Sequence, residues 1–225
     1  MRDAPPASPA PTPAASGDTD LGGVALAACL TCMAGFVDAV AFLGFGGVFA
    51  SFMSGNTTRL GVAAAGSRTA DLVLYASSVV LFVAGVAAGR AVGGGSPPRR
   101  RAVLALAALA GWAGMSAAAL IAATLAMGAQ NAVIHKAGRT PVTLTYVTGT
   151  LVRVGEGLAD WLAGRGGEPT PAYVLLWAGL AAGAVAGAFA YSHWGAQALA
   201  VPAALAFLLA AAVGGAEPRP EGEQT

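Results

Sequence analysis

The chain has 225 residues, of which 56% are hydrophobic and only 10% are charged, and its formal net charge is +1. Soluble domains carry about 25% charged residues, so this composition excludes an ordinary soluble domain and a disordered chain. The absence of a basic excess also excludes a nucleic-acid-binding protein. Between residues 21 and 214 only 15 charged residues occur among 194 positions, which indicates an all-α polytopic membrane protein.

Two polar tails flank the apolar part of the chain. Residues 1–20 are rich in Pro, Ala and Ser, and residues 215–225 are acidic, so we predict that both tails are disordered. The apolar run that follows the first tail is too long for a signal peptide and lacks a basic flank, which indicates a retained membrane helix. Residues 21–214 are predicted to form a single integral membrane domain.

Gly-, Pro- or Arg-containing breaks separate runs of about 20 apolar residues, the length that crosses a bilayer. The predicted helices cover residues 21–44, 47–66, 71–93, 143–163, 171–192 and 196–214. The remaining run, 102–137, would form a helix of about 54 Å, which is too long for one crossing of a core about 30 Å thick. We therefore predict two short helices that turn near residues 118–121. The total is eight helices, with seven as the alternative.

An internal repeat favours eight helices. Residues 52–61 read FMSGNTTRLG and align with residues 146–155, YVTGTLVRVG, at an offset of 94. Residues 35–40 read GFVDAV and align with residues 128–133, GAQNAV, at an offset of 93. The alignment predicts repeat one over 21–114 and repeat two over 115–214, with four helices each. An even number of helices per repeat relates the halves by an axis along the membrane normal.

Basic residues set the predicted orientation, because cytoplasmic loops carry an excess of Lys and Arg. Arg99, Arg100 and Arg101 follow the third helix and mark that loop as cytoplasmic. With eight helices, Lys136 lies on the same side. We therefore predict that both termini face outward.

Five charged residues lie inside predicted helices, where an ionisable side chain costs several kcal/mol unless a partner or a water-filled cavity compensates it. They are Asp38, Arg59, Arg153, Glu156 and Asp160. Asp38 is the expected counter-ion of Arg59. The spacing of Arg153, Glu156 and Asp160 places them on one helix face, where they can pair.

Small polar residues accompany these charges in both repeats, and interrupted helices at matching positions in two halves are the best sequence pointer to a membrane binding site. The predicted solute site comprises Asp38, Ser54, Asn56, Arg59, Gln130, Asn131, Thr148 and Arg153. Asp38 and Glu156 are candidate proton carriers, since burial favours the neutral form of a carboxyl group.

A structural role for the same residues is an equally weighted alternative. Ser, Thr, Asn and Gln often form hydrogen bonds across membrane helices, and glycine faces pack closely. The Gly85-xxx-Gly89 and Gly183-xxx-Gly187 motifs, at matching places in the two halves, are typical of such packing.

At these motifs the sequence resembles the YoaK family of bacterial inner-membrane proteins, which is classed as a domain of unknown function. The resemblance covers roughly residues 21–214. It rests on residues 35–39, 52–61, 127–132 and 145–153. Where the family usually has Thr-Gly-Asn, this chain has Ser54-Gly55-Asn56, which keeps the hydroxyl group. The resemblance implies a multi-pass protein of the bacterial inner membrane and implies no substrate.

We expect a small-solute transporter or channel with a polar midplane site between the two halves, and the arginines suggest an anionic or polar solute. A non-transporting assembly factor or partner subunit is the alternative, and an intramembrane enzyme ranks third. The sequence has no nucleophile elbow, HExxH motif, P-loop or dinucleotide-binding glycine pattern, so we expect no enzyme activity, metal or cofactor. Expected partners are the lipid bilayer and the solute, with a second copy of the chain as a further candidate and no nucleic acid.

Overall fold

The computed structural model describes part of the predicted membrane domain. The described residues are 21–93, 117–133, 136–137, 140–141, 147–166 and 171–214. The two predicted tails, the basic loop at Arg99 to Arg101 and the first of the two short helices predicted within 102–137 lie outside the described residues.

Seven α-helices occur in the described part of the chain. They are α1 (Leu21–Gly44), α2 (Met53–Ala65), α3 (Thr69–Gly93), α4 (Ala117–Val133), α5 (Val147–Leu162), α6 (Pro171–Trp194) and α7 (Ala200–Gly214). The segments Val24–Gly44, Thr69–Ala91 and Pro171–Ala206 are long and apolar enough to cross a membrane. The prediction of a helical membrane protein is confirmed.

The structure moves the start of α2 six residues beyond the predicted position. Gly46 and Gly47 have φ angles of 70° and 79°, in the left-handed region that favours glycine, and the chain stays irregular to Phe52. The residues after the glycines, Val48, Phe49 and Ala50, are as apolar as a helix interior. Hydropathy therefore could not separate this irregular segment from the helix that follows it.

The structure sets the start of α4 at Ala117, slightly before the predicted turn, so residues 118–121 themselves are helical. They contain no Gly or Pro, and their Ala and Leu side chains favour helix. The chain departs from helix after Val133, where β1 (Lys136–Ala137) pairs antiparallel with β2 (Thr140–Pro141). This strand pair replaces the last two residues of the predicted helical run 102–137 and ends just before the predicted helix 143–163.

The last predicted helix also begins differently. Gly195 has a φ angle of 57° and opens the 3-10 helix Gly195–Leu199, which leads into α7. Pro202 lies in the first turn of α7, where the missing backbone N–H group costs no helical hydrogen bond.

Helix α1 packs along α6 over a seam of glycine contacts. A Cβ atom at Gly183 would overlap the backbone of Cys32, and one at Gly187 would overlap the backbone of Phe36. From Gly183 to Gly187 the chain of α6 advances by one turn, and the contact on α1 advances by one turn from Cys32 to Phe36. The two helices therefore run parallel, with their backbones in direct contact.

Helix α3 packs along α4 in the same manner. A Cβ atom at Gly85 would overlap the backbone of Leu125, and one at Gly89 would overlap that of Ala129. These helices also run parallel. The prediction that both GxxxG motifs mediate close helix packing is confirmed.

Helix α1 lies at the centre of the packed core. Leu30 and Val40 of α1 are fully buried, whereas Val83 of α3 and Phe189 of α6 are largely exposed. Apolar side chains on the outer faces of long helices are expected where lipid is the solvent.

Substitution of Gly183 by Leu should destabilise the protein by roughly 1–3 kcal/mol or more, because the added side chain forces α6 away from the backbone of α1. The matched control is Gly155→Leu in α5, since a Cβ at Gly155 has no atom within 4 Å beyond the adjacent residues and backbone of its own helix. Thermal unfolding of the detergent-solubilised protein measures the difference. An equal fall in the unfolding midpoint of both variants would contradict the assigned seam.

Candidate functional site

Asp38 anchors the irregular segment 45–52 to α1. Its Oδ1 accepts a hydrogen bond from the backbone N–H of Ser51 at 2.7 Å, and its Oδ2 accepts one from the Ser51 hydroxyl, also at 2.7 Å. Asp38 lies six residues before the end of α1, which is about 9 Å along the helix. Because Ser51 bonds to Asp38, the segment after α1 folds back along the helix by about that distance. Non-helical backbone inside a membrane needs protein partners, and Asp38 supplies two acceptors.

Asn56 closes the same segment from α2. The side chain is fully buried. Its Oδ1 accepts a hydrogen bond from the Phe49 N–H at 2.9 Å, and its Nδ2 donates one to the Phe49 carbonyl at 2.7 Å. Gly55 leaves room for this arrangement, because a Cβ atom there would overlap the rings of Phe49 and Phe52.

Arg59 supports the other side of the segment. Its Nη1 donates a hydrogen bond to the Tyr75 hydroxyl at 3.2 Å, and that hydroxyl donates to the Gly46 carbonyl at 3.0 Å. The guanidinium carbon lies 4.7 Å from the ring centroid of Phe42 and 5.9 Å from that of Phe49. These distances are typical of cation–π contacts.

The expected ion pair between Asp38 and Arg59 is wrong. Within the described residues Asp38 takes its hydrogen bonds from Ser51, while Arg59 takes its contacts from Tyr75 and aromatic rings. Each group finds a neutral partner, so neither needs the other.

Arg153, Glu156 and Asp160 lie on the exposed surface of α5. Arg153 pairs with Glu156 at 3.4 Å, and their side chains are 65% and 58% exposed. Asp160 pairs instead with Arg165 at 2.8 Å. The spacing therefore predicted the Arg153–Glu156 pair correctly. Asp160 does not join it, because its partner is Arg165.

A cavity of about 450 Å³ lies beside Asp38, within the size range of small-molecule sites. Its polar lining comes from Asp38, Ser51 and Thr148. Its apolar lining comprises Gly35, Ala39, Phe42, Phe49, Phe52, Val147, Leu151, Leu180 and Ala184. The cavity therefore lies among α1, the irregular segment, α5 and α6.

Gln130 lies at a different and smaller cavity, of about 30 Å³, between α1, α4 and α7. The Gln130 side chain is buried, and its Nε2 has no hydrogen-bond partner within the described part of the chain. The Nδ2 of its neighbour Asn131 donates to the Met127 carbonyl at 2.8 Å. These amides do not line the cavity at Asp38.

The predicted site residues therefore fall into three groups. Asp38 and Thr148 line the larger cavity. Asn56 and Arg59 hold its walls through Phe49 and Phe42. The remaining four predicted residues, Ser54, Gln130, Asn131 and Arg153, do not line this cavity.

Sequence reasoning missed Ser51, Tyr75 and the phenylalanines that line the cavity. The phenylalanines had a signal, because Phe42, Phe49 and Phe52 flank the glycine break. Ser51 and Tyr75 had none, since an isolated hydroxyl in an apolar run is common in membrane helices.

The chain matches the family model described as "Protein of unknown function (DUF1275)" over residues 26–212. It belongs to the DUF1275 family. This DUF1275 protein is 38% identical over 195 residues to the UPF0700 transmembrane protein RA0705 of Rhizobium meliloti, which covers 84% of this chain and 85% of that relative. No solved structure matches the DUF1275 protein at a significant level. The relative's description as a transmembrane protein agrees with the apolar helices described above.

Substitution of Asn56 by Ala should destabilise the DUF1275 protein by about 1–3 kcal/mol, because it leaves the partly buried N–H and carbonyl of Phe49 without their side-chain partner. Thr58→Ala is the matched control on the same helix, where an exposed hydroxyl bonds to the Ser54 carbonyl, and it should change stability by less than about 0.5 kcal/mol. Unfolding in detergent measures both. Similar stabilities would show that the Asn56 contacts do not hold the segment.

Proposed function

We propose that this DUF1275 protein is a multi-pass transporter or channel of the bacterial inner membrane, and that it moves a small polar solute through the cavity beside Asp38. The proposal rests on the observation that residues from both predicted repeats line the cavity. Asp38 and Ser51 belong to predicted repeat one, whereas Thr148 belongs to predicted repeat two. A solute held there would contact both halves of the protein.

The interruption between α1 and α2 supports transport. Residues 45–52 return to the depth of Asp38 before α2 begins. With 13 residues, α2 is only about 20 Å long, which is shorter than a bilayer core. Non-helical backbone at membrane depth is tolerated where it is buried in protein or lines a cavity, and short helices beside such segments recur at transporter binding sites.

Eight membrane crossings in two repeated halves form part of the proposal. The parallel packing of α1 with α6, and of α3 with α4, agrees with eight crossings, because each pair then consists of odd-numbered crossings. Seven crossings would make both pairs antiparallel. The two seams also match each other, since Gly85 and Gly89 of repeat one correspond to Gly183 and Gly187 of repeat two. The finer likeness to the YoaK family rests on the same repeated motifs.

Within this proposal the predicted site residues have different roles. Asp38 and Thr148 contact the solute, and Asp38 is also the candidate proton carrier. Asn56 and Arg59 position the cavity wall. The repeat offsets place Asn131 where Asp38 lies in repeat one, and Ser54 where Thr148 lies in repeat two.

Eight crossings place both termini on one side of the membrane, and the basic loop at Arg99 to Arg101 makes that side the outside. In a variant with Cys29→Ser and Cys32→Ala, single cysteines at Ser8→Cys and Thr225→Cys should both react with a membrane-impermeant maleimide on intact cells. Ser96→Cys, in the loop after α3, should react only after lysis. Labelling of one terminus alone would indicate seven crossings.

Transport through the cavity predicts that blocking Thr148 stops flux. In the same cysteine-substituted background, Thr148→Cys should lose at least about 90% of solute flux into proteoliposomes after reaction with a bulky methanethiosulfonate, because the adduct fills the cavity. Thr58→Cys is the matched control, since Thr58 is exposed on α2 and does not line the cavity. Unchanged flux in modified Thr148→Cys would contradict this route. Stable co-purification of a partner, with no flux of any solute, would favour the assembly-factor alternative.

A further inference from the structure

We infer, on the basis of the proposed transport function, that the solute is a small organic cation of the alkylammonium or quaternary ammonium class. Such a cation would lie in the cavity beside Asp38, with its charge at the carboxylate and its alkyl groups against the phenylalanine rings.

The first observation is the charge of the cavity. Asp38 is 8% exposed, and its donors are all neutral: the hydroxyl and N–H of Ser51, together with the backbone N–H groups of Ala50 and Phe52. Within the described residues Asp38 forms no ion pair. A buried carboxylate without a counter-ion costs several kcal/mol, so a cation in the cavity is its natural compensation.

The second observation is the position of the arginines. Arg59 is engaged by Tyr75 and by the face of Phe42, and Arg153 is paired with Glu156 on exposed α5. Neither arginine lines the cavity, and no other basic side chain among the described residues does. The two arginines were the basis for expecting an anionic solute, so their placement removes that basis.

The third observation is the aromatic lining. Phe42, Phe49 and Phe52 all line the cavity, and the faces of aromatic rings attract cations, quaternary ammonium groups in particular. Phe42 and Phe49 already hold the guanidinium of Arg59 in this structure. Phe52 meets Phe49 edge-on, with ring centroids 5.3 Å apart and the planes at 85°.

An organic cation fits this lining better than a metal ion. Hard metal cations take six or more oxygen ligands, whereas the polar lining consists of one carboxylate and two hydroxyl groups. No group of three metal-binding side chains occurs among the described residues. A diffuse charge on an alkylated nitrogen needs little more than the carboxylate and the rings.

Three probes of one shape and different charge test the inference. They are choline, its neutral carbon analogue 3,3-dimethylbutan-1-ol, and the anion 3,3-dimethylbutanoate. Binding is measured on the full-length protein in detergent from the rise in its unfolding midpoint with probe concentration, which does not depend on transport. Choline should bind at least about tenfold more tightly than the alcohol, and the anion should give no shift.

Variants assign the selectivity to the cavity. Asp38→Asn should reduce the preference for choline over the alcohol to about twofold or less, and Asp160→Asn on the exposed face of α5 should leave it unchanged. If Asp38→Asn does not fold, Phe52→Leu gives a second test, because it keeps the carboxylate and removes a ring. It should weaken choline binding by about threefold to tenfold and leave alcohol binding nearly unchanged.

Several outcomes would overturn the inference. They are equal binding of choline and the alcohol by the unaltered protein, tighter binding of the anion, or no stabilisation by any probe, as expected if a lipid chain fills the cavity. Flux measurements separate this failure from failure of the proposed function. Choline that binds but does not cross proteoliposomes contradicts transport and keeps the ligand class, whereas flux of the anion keeps transport and contradicts the ligand class.

Discussion

The hydrogen bonds from Ser51 to Asp38 allow the chain to leave its helical path at membrane depth, and the rest of the site depends on them. A bilayer core offers no water to pair with exposed N–H and carbonyl groups, so irregular backbone there is stable only when protein atoms pair with it. Asp38 does so for Ser51, Asn56 for Phe49, and Tyr75 for Gly46. Three side chains from three helices therefore fix one short segment.

The cavity is a consequence of that segment. If α1 continued as a helix into α2, the residues after Gly44 would extend away from Asp38. The irregular segment instead folds back, so that Phe49 and Phe52 line the same cavity as the carboxylate. On one side of the cavity Asn56 bonds to Phe49 and Arg59 stacks on Phe42. On the opposite side α5 contributes Thr148, and no residue of that helix is fully buried.

The sequence predicted the parts of the structure that depend on composition and local pattern. Runs of apolar residues located the helices, and the Gly85 and Gly183 motifs located the seams, because close helix packing needs small residues at a fixed spacing. Asp38 was predicted to belong to the site because an ionisable side chain inside a membrane helix is costly unless it is compensated. Its partner could not be predicted, since the opposite charge favoured Arg59 and the position of Ser51 depends on where Gly46 and Gly47 turn the chain. The aromatic support of Arg59 likewise depends on tertiary geometry.

The glycine seams also bear on the order in which the membrane domain assembles during synthesis. Leu125 and Ala129 follow Gly85 and Gly89 closely in sequence, so α3 and α4 can pair early. The surface of α1 at Cys32 and Phe36, in contrast, has no partner until Gly183 and Gly187 have been made. At 5–20 residues per second, that delay is on the order of 10 s. Helix α1 is thus made well before the helix that completes its packing, and a chain truncated before α6 would leave an unfilled face on α1.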